Sequence, residues 1–140
     1  MKVLHSVVLA LSLLLVVSAA HAQSATVSAR VPFDFVVGNQ VYSAGDYLLS
    51  SWGTANESIL IRNTDESKGR LVLTQSCARL EKAEKGVLIF HRYGDQYFLY
   101  EVWTEGSTLG RRFPKSQIET QLAKNHTDRE VVMVAALITQ

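Results

Sequence analysis

This 140-residue chain contains a single cysteine and has almost no net charge. Cys77 is the only cysteine, so no disulfide bond forms within the chain, and its thiol is either free or paired with a second chain. The formal net charge is only +1 at pH 7, whereas nucleic-acid binding requires a strongly basic surface. The domain must therefore be stabilised by a packed core, and we expect no nucleic-acid partner.

Motifs for metal binding, phosphate binding and acyl transfer are also missing. The histidines that follow the N-terminal segment are His91 and His126, and their spacing matches no metal-ligand pattern. There is no glycine-rich phosphate loop and no GxSxG motif. We therefore predict a non-enzymatic protein with no catalytic residues, no cofactor and no metal site.

The first 22 residues have the pattern of an export signal. Lys2 gives a positive start, the following residues are mostly apolar, and Ala20-His21-Ala22 has the small-x-small pattern that signal peptidase accepts. Cleavage after Ala22 would leave one β-rich domain, residues 23–140, with 13 basic and 13 acidic side chains once Lys2 is removed. The alternative is an uncleaved anchor, because about 18 apolar residues are near the minimum that spans a bilayer. We expect a periplasmic or secreted protein with no membrane span after cleavage.

The chain is organised around Val87–Trp103, two apolar and aromatic runs joined by Gly94-Asp95. A Gly-Asp pair between two such runs predicts a two-residue hairpin turn, because glycine adopts a positive φ without steric cost. Both faces of this hairpin carry large apolar side chains. We therefore expect either a central hairpin covered on both faces or a sheet curled so that one face is the core and the other is partly covered. In both cases the hairpin should be the most buried part of the chain.

The register of the hairpin follows if its pairing is uninterrupted. Ile89 then lies opposite Tyr100, Val102 shares a face with Ile89, and Trp103 shares the other face with Leu88. Besides its tyrosines, the hairpin contains four ionisable residues: His91, Arg92, Asp95 and Glu101. The same register places His91 on the opposite face from Arg92 and Glu101, so we expect no convergent acid-base site.

Further strands are predicted on both sides of the hairpin. Alternating or continuous apolar residues indicate strands in 24–37, where Pro32 interrupts the pattern, and in 46–52, 58–63, 70–75 and 130–138. Ser116-Gln117-Ile118-Glu119 matches a capping box and predicts a short helix within 115–125, with Ile118 and Leu122 on one side. Residues 76–86 suit a short helix or a charged loop. The predicted fold is all-β, a small antiparallel sandwich or partly open barrel of about seven or eight strands.

Three segments together resemble a known family. VPFDFVVGNQVYSAGDYLLS, LIFHRYGDQYFLYEVWTEGSTLGR and FPKSQIETQLAK are similar to an uncharacterised family of short exported proteins found mainly among acidobacteria. The resemblance extends from Val31 to Lys124, and its most specific features are PFDF followed by AGDY and FHRYGDQYFL followed by VW and GR. It implies an exported Gram-negative protein with an all-β body, and it transfers no catalytic residues.

Two groups of residues are candidate binding sites. The first is an anion site at the predicted helix start, where backbone N–H groups and cations converge, formed by Arg111, Arg112, Lys115 and Ser116. The second is an aromatic lining for a ligand, formed by Tyr93, Tyr97, Tyr100 and Trp103. The alternatives are ion pairing of the cations and packing of the aromatic rings in the core. We predict an envelope protein that acts by binding or structural interaction with an unknown protein or small-molecule partner, and a small-ligand carrier is the alternative.

Overall fold

The computed structural model describes residues 25–53, 57–125 and 128–139, so the predicted export signal, residues 1–22, lies outside the described part. Within the described residues the chain forms eleven strands and one short helix. The strands are β1 (Thr26–Val31), β2 (Phe35–Val37), β3 (Gln40–Tyr42), β4 (Gly45–Trp52), β5 (Ser58–Asn63), β6 (Gly69–Leu73), β7 (Gln75–Ala78), β8 (Gly86–Tyr93), β9 (Gln96–Trp103), β10 (Leu109–Arg112) and β11 (Glu130–Thr139), and the helix is α1 (Gln117–Asn125). The all-β prediction is confirmed. The strand number exceeds the predicted seven or eight because short strands such as β3, β7 and β10 left little pattern in the sequence.

All the strands belong to one curled sheet that forms a half-barrel. Its main path runs β3-β2-β9-β8-β11-β1-β4-β5-β6, and β10 pairs with both β9 and β7. The pairs are antiparallel except β2 with β9, which are parallel where Val36 lies opposite Phe98. Of the two predicted architectures, the partly open barrel is therefore the one that forms.

One end of the half-barrel is closed by the chain itself. β6 lies at one edge of the sheet, and it continues through Thr74 into β7, which pairs with β10 near the other edge. The Arg111 guanidinium fixes this crossing, donating from Nε to Thr74 Oγ1 at 2.9 Å and from Nη2 to the Thr74 carbonyl oxygen at 3.2 Å. The other end, where β3 approaches β6, has no such chain crossing in the described residues.

The β8–β9 hairpin has the predicted turn and an unpredicted bulge. Gly94 has φ 60°, and Tyr93 pairs with Gln96 across a two-residue loop, so the turn is confirmed. The register then shifts: Phe90 lies opposite Leu99, but Ile89 lies opposite Glu101 rather than Tyr100. Tyr100 is therefore an extra residue on β9, which is the definition of a β-bulge.

The bulge reverses the predicted faces of the last residues of β9. Val102 packs in the main core with Leu88, whereas Trp103 packs with Ile89 on the other face. Glu101 also lies on the Trp103 face, because its carboxylate accepts a hydrogen bond from the indole. The predicted faces of Glu101, Val102 and Trp103 were wrong, since one extra residue inverts every side chain beyond it.

Two apolar clusters result, one on each face of the hairpin. The larger lies on the inner face of the curled sheet and includes Val31, Ile61 and Phe90, each at most 1% exposed. The smaller is built around Trp103 and includes Ala83 and Ile89. Gly110 leaves room for the Trp103 ring, because a Cβ at that position would lie 2.7 Å from it. Both faces of the hairpin are covered, as predicted.

Helix α1 begins as predicted but buries an unexpected side chain. Ser116 Oγ accepts a hydrogen bond from the Glu119 N–H at 3.0 Å, which is the N-cap half of the capping box. Ile118, the apolar residue of the first turn, is 49% exposed, whereas Glu119 is 3% exposed. The side of the helix that meets the hairpin therefore presents a carboxylate.

Candidate functional site

A buried His–Glu pair joins helix α1 to the hairpin. His91 Nδ1 lies 3.2 Å from Glu119 Oε1, and each side chain is only 3% exposed. The imidazole also stacks on Tyr100, with ring centroids 3.9 Å apart and planes 26° from parallel. Sequence reasoning missed this pair, because it assigned Glu119 to the helix cap and found no partner for His91.

The bulge brings a second carboxylate to the same face. Glu101 Oε2 accepts a hydrogen bond from Trp103 Nε1 at 2.8 Å, and Glu101 Oε1 accepts two from Arg112, at 2.9 and 2.7 Å. The Arg112 guanidinium lies 5.1 Å from the centre of the Tyr100 ring. The prediction that His91 and Glu101 lie on opposite faces was therefore wrong. Every buried side-chain nitrogen or oxygen of the described residues has a hydrogen-bond partner, so the polar groups of this cluster are satisfied and link the helix, the hairpin and β10.

The four residues of the predicted anion site lie in one segment but have separate roles. Arg111 binds Thr74, Arg112 binds Glu101, and Ser116 caps helix α1, while Lys115 is exposed. The two guanidinium groups thus already donate to oxygens of the chain. Three of the four residues thus contact Thr74, Glu101 and the first turn of helix α1, and Lys115 stays exposed beside them.

The four residues of the predicted aromatic lining lie on two faces. Tyr97 packs against the main core and stacks on Phe33, with ring centroids 3.8 Å apart. Tyr93, Tyr100 and Trp103 lie on the other face, where Tyr93 is 3% and Trp103 1% exposed. Burial raises the pKa of Tyr93 above its ordinary value, with the Glu119 carboxylate adding to the effect. The four rings therefore do not line one common surface, and Tyr93 and Trp103 are buried.

A cavity lies at the open end of the half-barrel, between β3 and β6. We name it the seam cleft; its volume is about 260 Å³, and it is lined by Tyr42, Tyr47, Asn63, Glu66, Lys68 and Arg70, together with Gln40, Val41, Ser43 and Ile61. One hydrogen bond crosses it, from Arg70 Nη1 on β6 to Gln40 Oε1 on β3, at 2.9 Å. The seam cleft thus lies where the barrel fails to close.

Aromatic rings form the floor of the seam cleft. Tyr42 stacks on Phe35 with centroids 5.2 Å apart, and Tyr47 lies edge-on to Tyr42 at 6.0 Å. The Tyr47 hydroxyl donates a hydrogen bond to the Ser43 carbonyl oxygen at 2.6 Å. Burial raises the pKa of both tyrosines; Arg70 opposes the effect at Tyr42, whereas Glu66 adds to it at Tyr47. The floor is therefore formed by two mutually packed tyrosine rings, and each tyrosine has a different charged neighbour.

The rim of the seam cleft carries charges of both signs. Glu66, Lys68 and Arg70 come from the β5–β6 connection and the start of β6, and all three are exposed. The ion pairs of the described residues join Arg30 to Asp46, His91 to Glu119, Arg92 to Glu130 and Arg112 to Glu101. None of these pairs uses a charge of the rim. The sequence showed this segment only as a polar, charged loop, and nothing local indicated that β3 would lie beside it.

Neither a metal-binding cluster nor a membrane-spanning helix occurs in the described part of the chain. No group of three or more His, Cys, Asp or Glu side chains is placed to hold a metal ion there. No helix in those residues has the length and apolar character needed to span a bilayer. No protein-family model, no curated protein and no solved structure matches this chain. The case for function therefore depends on the seam cleft and on the exposed surface.

Proposed function

We propose that this chain is an exported, non-enzymatic binding protein and that the seam cleft holds a small ligand. The observation that supports this most directly is the cavity at the unclosed end of the half-barrel, with aromatic rings below and unpaired charges above. Barrel mouths are common ligand sites. The accessible lining of this cleft is mainly polar, with tyrosine rings at its floor, which favours a polar ligand. At about 260 Å³ the cavity is near the lower limit for such sites, which favours a small ligand.

The proposal of a non-enzymatic role is supported by the pairing of the buried ionisable groups. The His91 imidazole contacts Glu119, and the Glu101 carboxylate accepts hydrogen bonds from Trp103 and Arg112. A catalytic acid or base must reach a proton of the substrate. Groups enclosed by their own partners on the outer face of the hairpin are suited to fixing the fold instead.

The proposal of export rests on the first 22 residues alone. Lys2, the apolar run and the Ala20-His21-Ala22 pattern favour cleavage and release into the periplasm or the medium. A carrier or binding protein in that compartment would meet small metabolites directly. Mass spectrometry of tryptic peptides of the protein from the host envelope tests this part, because cleavage predicts an N-terminal peptide that begins at Gln23, with or without cyclisation of that glutamine.

The test of the binding function is native mass spectrometry of the mature protein purified from its own host. We expect a non-covalent mass increment of small-molecule size, lost on denaturation. In the Arg70→Ala variant the increment should disappear, because the hydrogen bond across the cleft and one rim charge are both removed. Arg62→Ala is the matched control, since Arg62 is an exposed arginine on the neighbouring strand and does not line the cleft. A bare monomer in all three proteins would refute the proposal.

A second candidate function is structural interaction through an exposed apolar surface. Val131, Met133 and Leu137 lie at alternate positions of β11, so they share its outer face, and they are 52%, 65% and 70% exposed. Contiguous apolar surface of this kind commonly marks a protein–protein contact. Analytical ultracentrifugation tests it: a dimer that Met133→Lys converts to a monomer would support this function, and a monomer at every concentration would leave the outer face without a self-association role.

A further inference from the structure

The charges around the seam cleft are unpaired and of opposite sign. Arg70 donates to the neutral Gln40 amide, so its positive charge is positioned but not neutralised. No ion pair of the described residues involves Lys68 or Glu66. The rim thus presents two cations and one carboxylate around a single cavity.

The positive and negative side chains of the rim lie at different places along the cleft. Arg70 is the charged neighbour that lowers the pKa of the Tyr42 hydroxyl against the effect of burial. Glu66 is a charged neighbour that raises the pKa of Tyr47, and Asp34 acts on Tyr47 in the same direction. The ring centroids of the two tyrosines are 6.0 Å apart. The backbone geometry agrees, because Arg70 donates to Gln40 on β3, the strand that carries Tyr42, whereas the Glu66 N–H donates to the carbonyl oxygen of Asn63, the residue paired with Tyr47. The cleft is therefore positive on its Tyr42 side and negative on its Tyr47 side.

From this arrangement, and resting on the proposed function, we propose that the ligand of the seam cleft is a zwitterion of the α-amino acid class with an apolar side chain. Its carboxylate lies toward Arg70, and its ammonium group lies toward Glu66. Its side chain lies over the rings of Tyr42 and Tyr47. A ligand of this class is complementary to both signs of charge in the rim.

Other ligand classes are less complementary to the cleft. A simple organic anion satisfies Arg70 but leaves its charge facing Glu66, and a simple amine satisfies Glu66 but faces two cations. A neutral polyol uses the amides of Gln40 and Asn63 but leaves all three charges unpaired. An ammonium group also gains from proximity to a tyrosine face, which favours an amine over a hydroxyl at that end.

The experiment is isothermal titration calorimetry at pH 7 with three probes that share one aromatic body. L-phenylalanine carries both charges, 3-phenylpropionate carries only the carboxylate, and phenethylamine carries only the ammonium group. We expect phenylalanine to bind roughly tenfold more tightly than either probe, because each lost contact is a charge-assisted hydrogen bond at a partly exposed site.

Two charge-removing variants invert that preference. In the Glu66→Gln variant, phenylalanine should bind more weakly and 3-phenylpropionate more tightly, because the carboxylate that repels a lone anion has been removed. In the Arg70→Gln variant, phenylalanine should bind more weakly and phenethylamine more tightly. Asp65→Asn and Arg62→Gln are matched controls that neutralise neighbouring exposed charges outside the cleft, and they should bind all three probes as the unmodified chain does.

The failure of this inference is distinguishable from the failure of the proposed function. If the three probes bind equally, or 3-phenylpropionate binds most tightly, the zwitterion assignment is refuted while small-ligand binding stands. If no probe binds but the native protein retains a mass increment from a small molecule of another class, the zwitterion assignment is likewise refuted and small-ligand binding stands. If no probe binds and the native protein is bare, the proposed function fails and the inference fails with it.

Discussion

The buried His91–Glu119 pair predicts strongly non-additive stability effects. Each side chain is 3% exposed, and Nδ1 and Oε1 lie 3.2 Å apart. In Glu119→Met the imidazole loses its acceptor, and an unsatisfied buried polar group costs about 1–3 kcal/mol. In His91→Phe the ring can still stack on Tyr100, but a buried carboxylate loses its partner, which costs about 3–5 kcal/mol.

The double variant His91→Phe/Glu119→Met removes both polar groups at once. Replacing a buried ion pair with apolar side chains of similar volume is often nearly neutral, so we expect the double variant to be less destabilised than the sum of the single variants. The coupling free energy should be about 2 kcal/mol, within the range for residues in direct contact. Any packing cost of the larger phenylalanine occurs in both His91→Phe proteins and cancels in the cycle.

Urea denaturation at pH 7 measures this coupling in the unmodified chain, the two single variants and the double variant. The free energy of unfolding should fall with urea concentration at the same slope in all four proteins, which checks two-state behaviour. The matched control is the Arg30–Asp46 pair, which has a 2.8 Å contact but side chains that are 82% and 44% exposed. Solvent screens that pair, so its cycle should show far weaker coupling. Additivity of the His91 and Glu119 effects within about 0.5 kcal/mol would refute the argument that this pair joins helix α1 to the hairpin.

Three further predictions concern the hairpin and its surroundings. Phe98→Ala should destabilise the fold by about 3–5 kcal/mol, since Phe98 is 1% exposed; a change near zero in a denaturant melt would mean that the hairpin is not central to the core. Gly110→Ala should cost about 1–3 kcal/mol and alter tryptophan fluorescence, because its Cβ would lie 2.7 Å from the Trp103 ring, whereas Gly94→Ala should leave the fluorescence unchanged. The pKa of Cys77 and that of Tyr93 are raised above their ordinary values of 9.0 and 10.0, in both cases chiefly by burial. The folded state therefore holds these protons more tightly, so this contribution to stability is complete below the ordinary pKa values and is lost as pH rises through the raised ones; a melting temperature that stayed constant from about pH 8 to pH 11 would contradict this.

Local sequence signals predicted the parts of the fold that depend on local geometry. The Gly94-Asp95 turn, the N-cap at Ser116 and the strand β11 all follow from residue preferences within a few positions. The curled sheet with covered hairpin faces also followed, because both faces of the hairpin were apolar. These features required no knowledge of which strands pair across the barrel.

The β-bulge at Tyr100 shows why the predicted faces failed. No glycine or proline marks this position, and uninterrupted pairing was the simplest register. The bulged register is favoured by distant partners: Gly110 leaves room for the Trp103 ring, and Arg112 binds Glu101. Since side chains alternate strictly along a strand, a single extra residue was enough to misassign every residue beyond it.

The seam cleft could not be predicted from the sequence for a related reason. Gln40 and Arg70 lie 30 positions apart, on strands that do not pair, and they meet only because the sheet curls. Likewise, nothing in the local sequence indicated that Arg111, Arg112 and Tyr97 would contact Thr74, Glu101 and Phe33.

The sequence by itself determined the fold class, the central hairpin and the short helix, because turn chemistry, capping and apolar patterning act over a few residues. It also determined the charge balance and the single cysteine. Only the tertiary structure decided the bulge, the partner of His91 and the position of the seam cleft. Each depends on contacts between strands and loops far apart in the chain, and the energy of those contacts is absent from any local stretch of sequence.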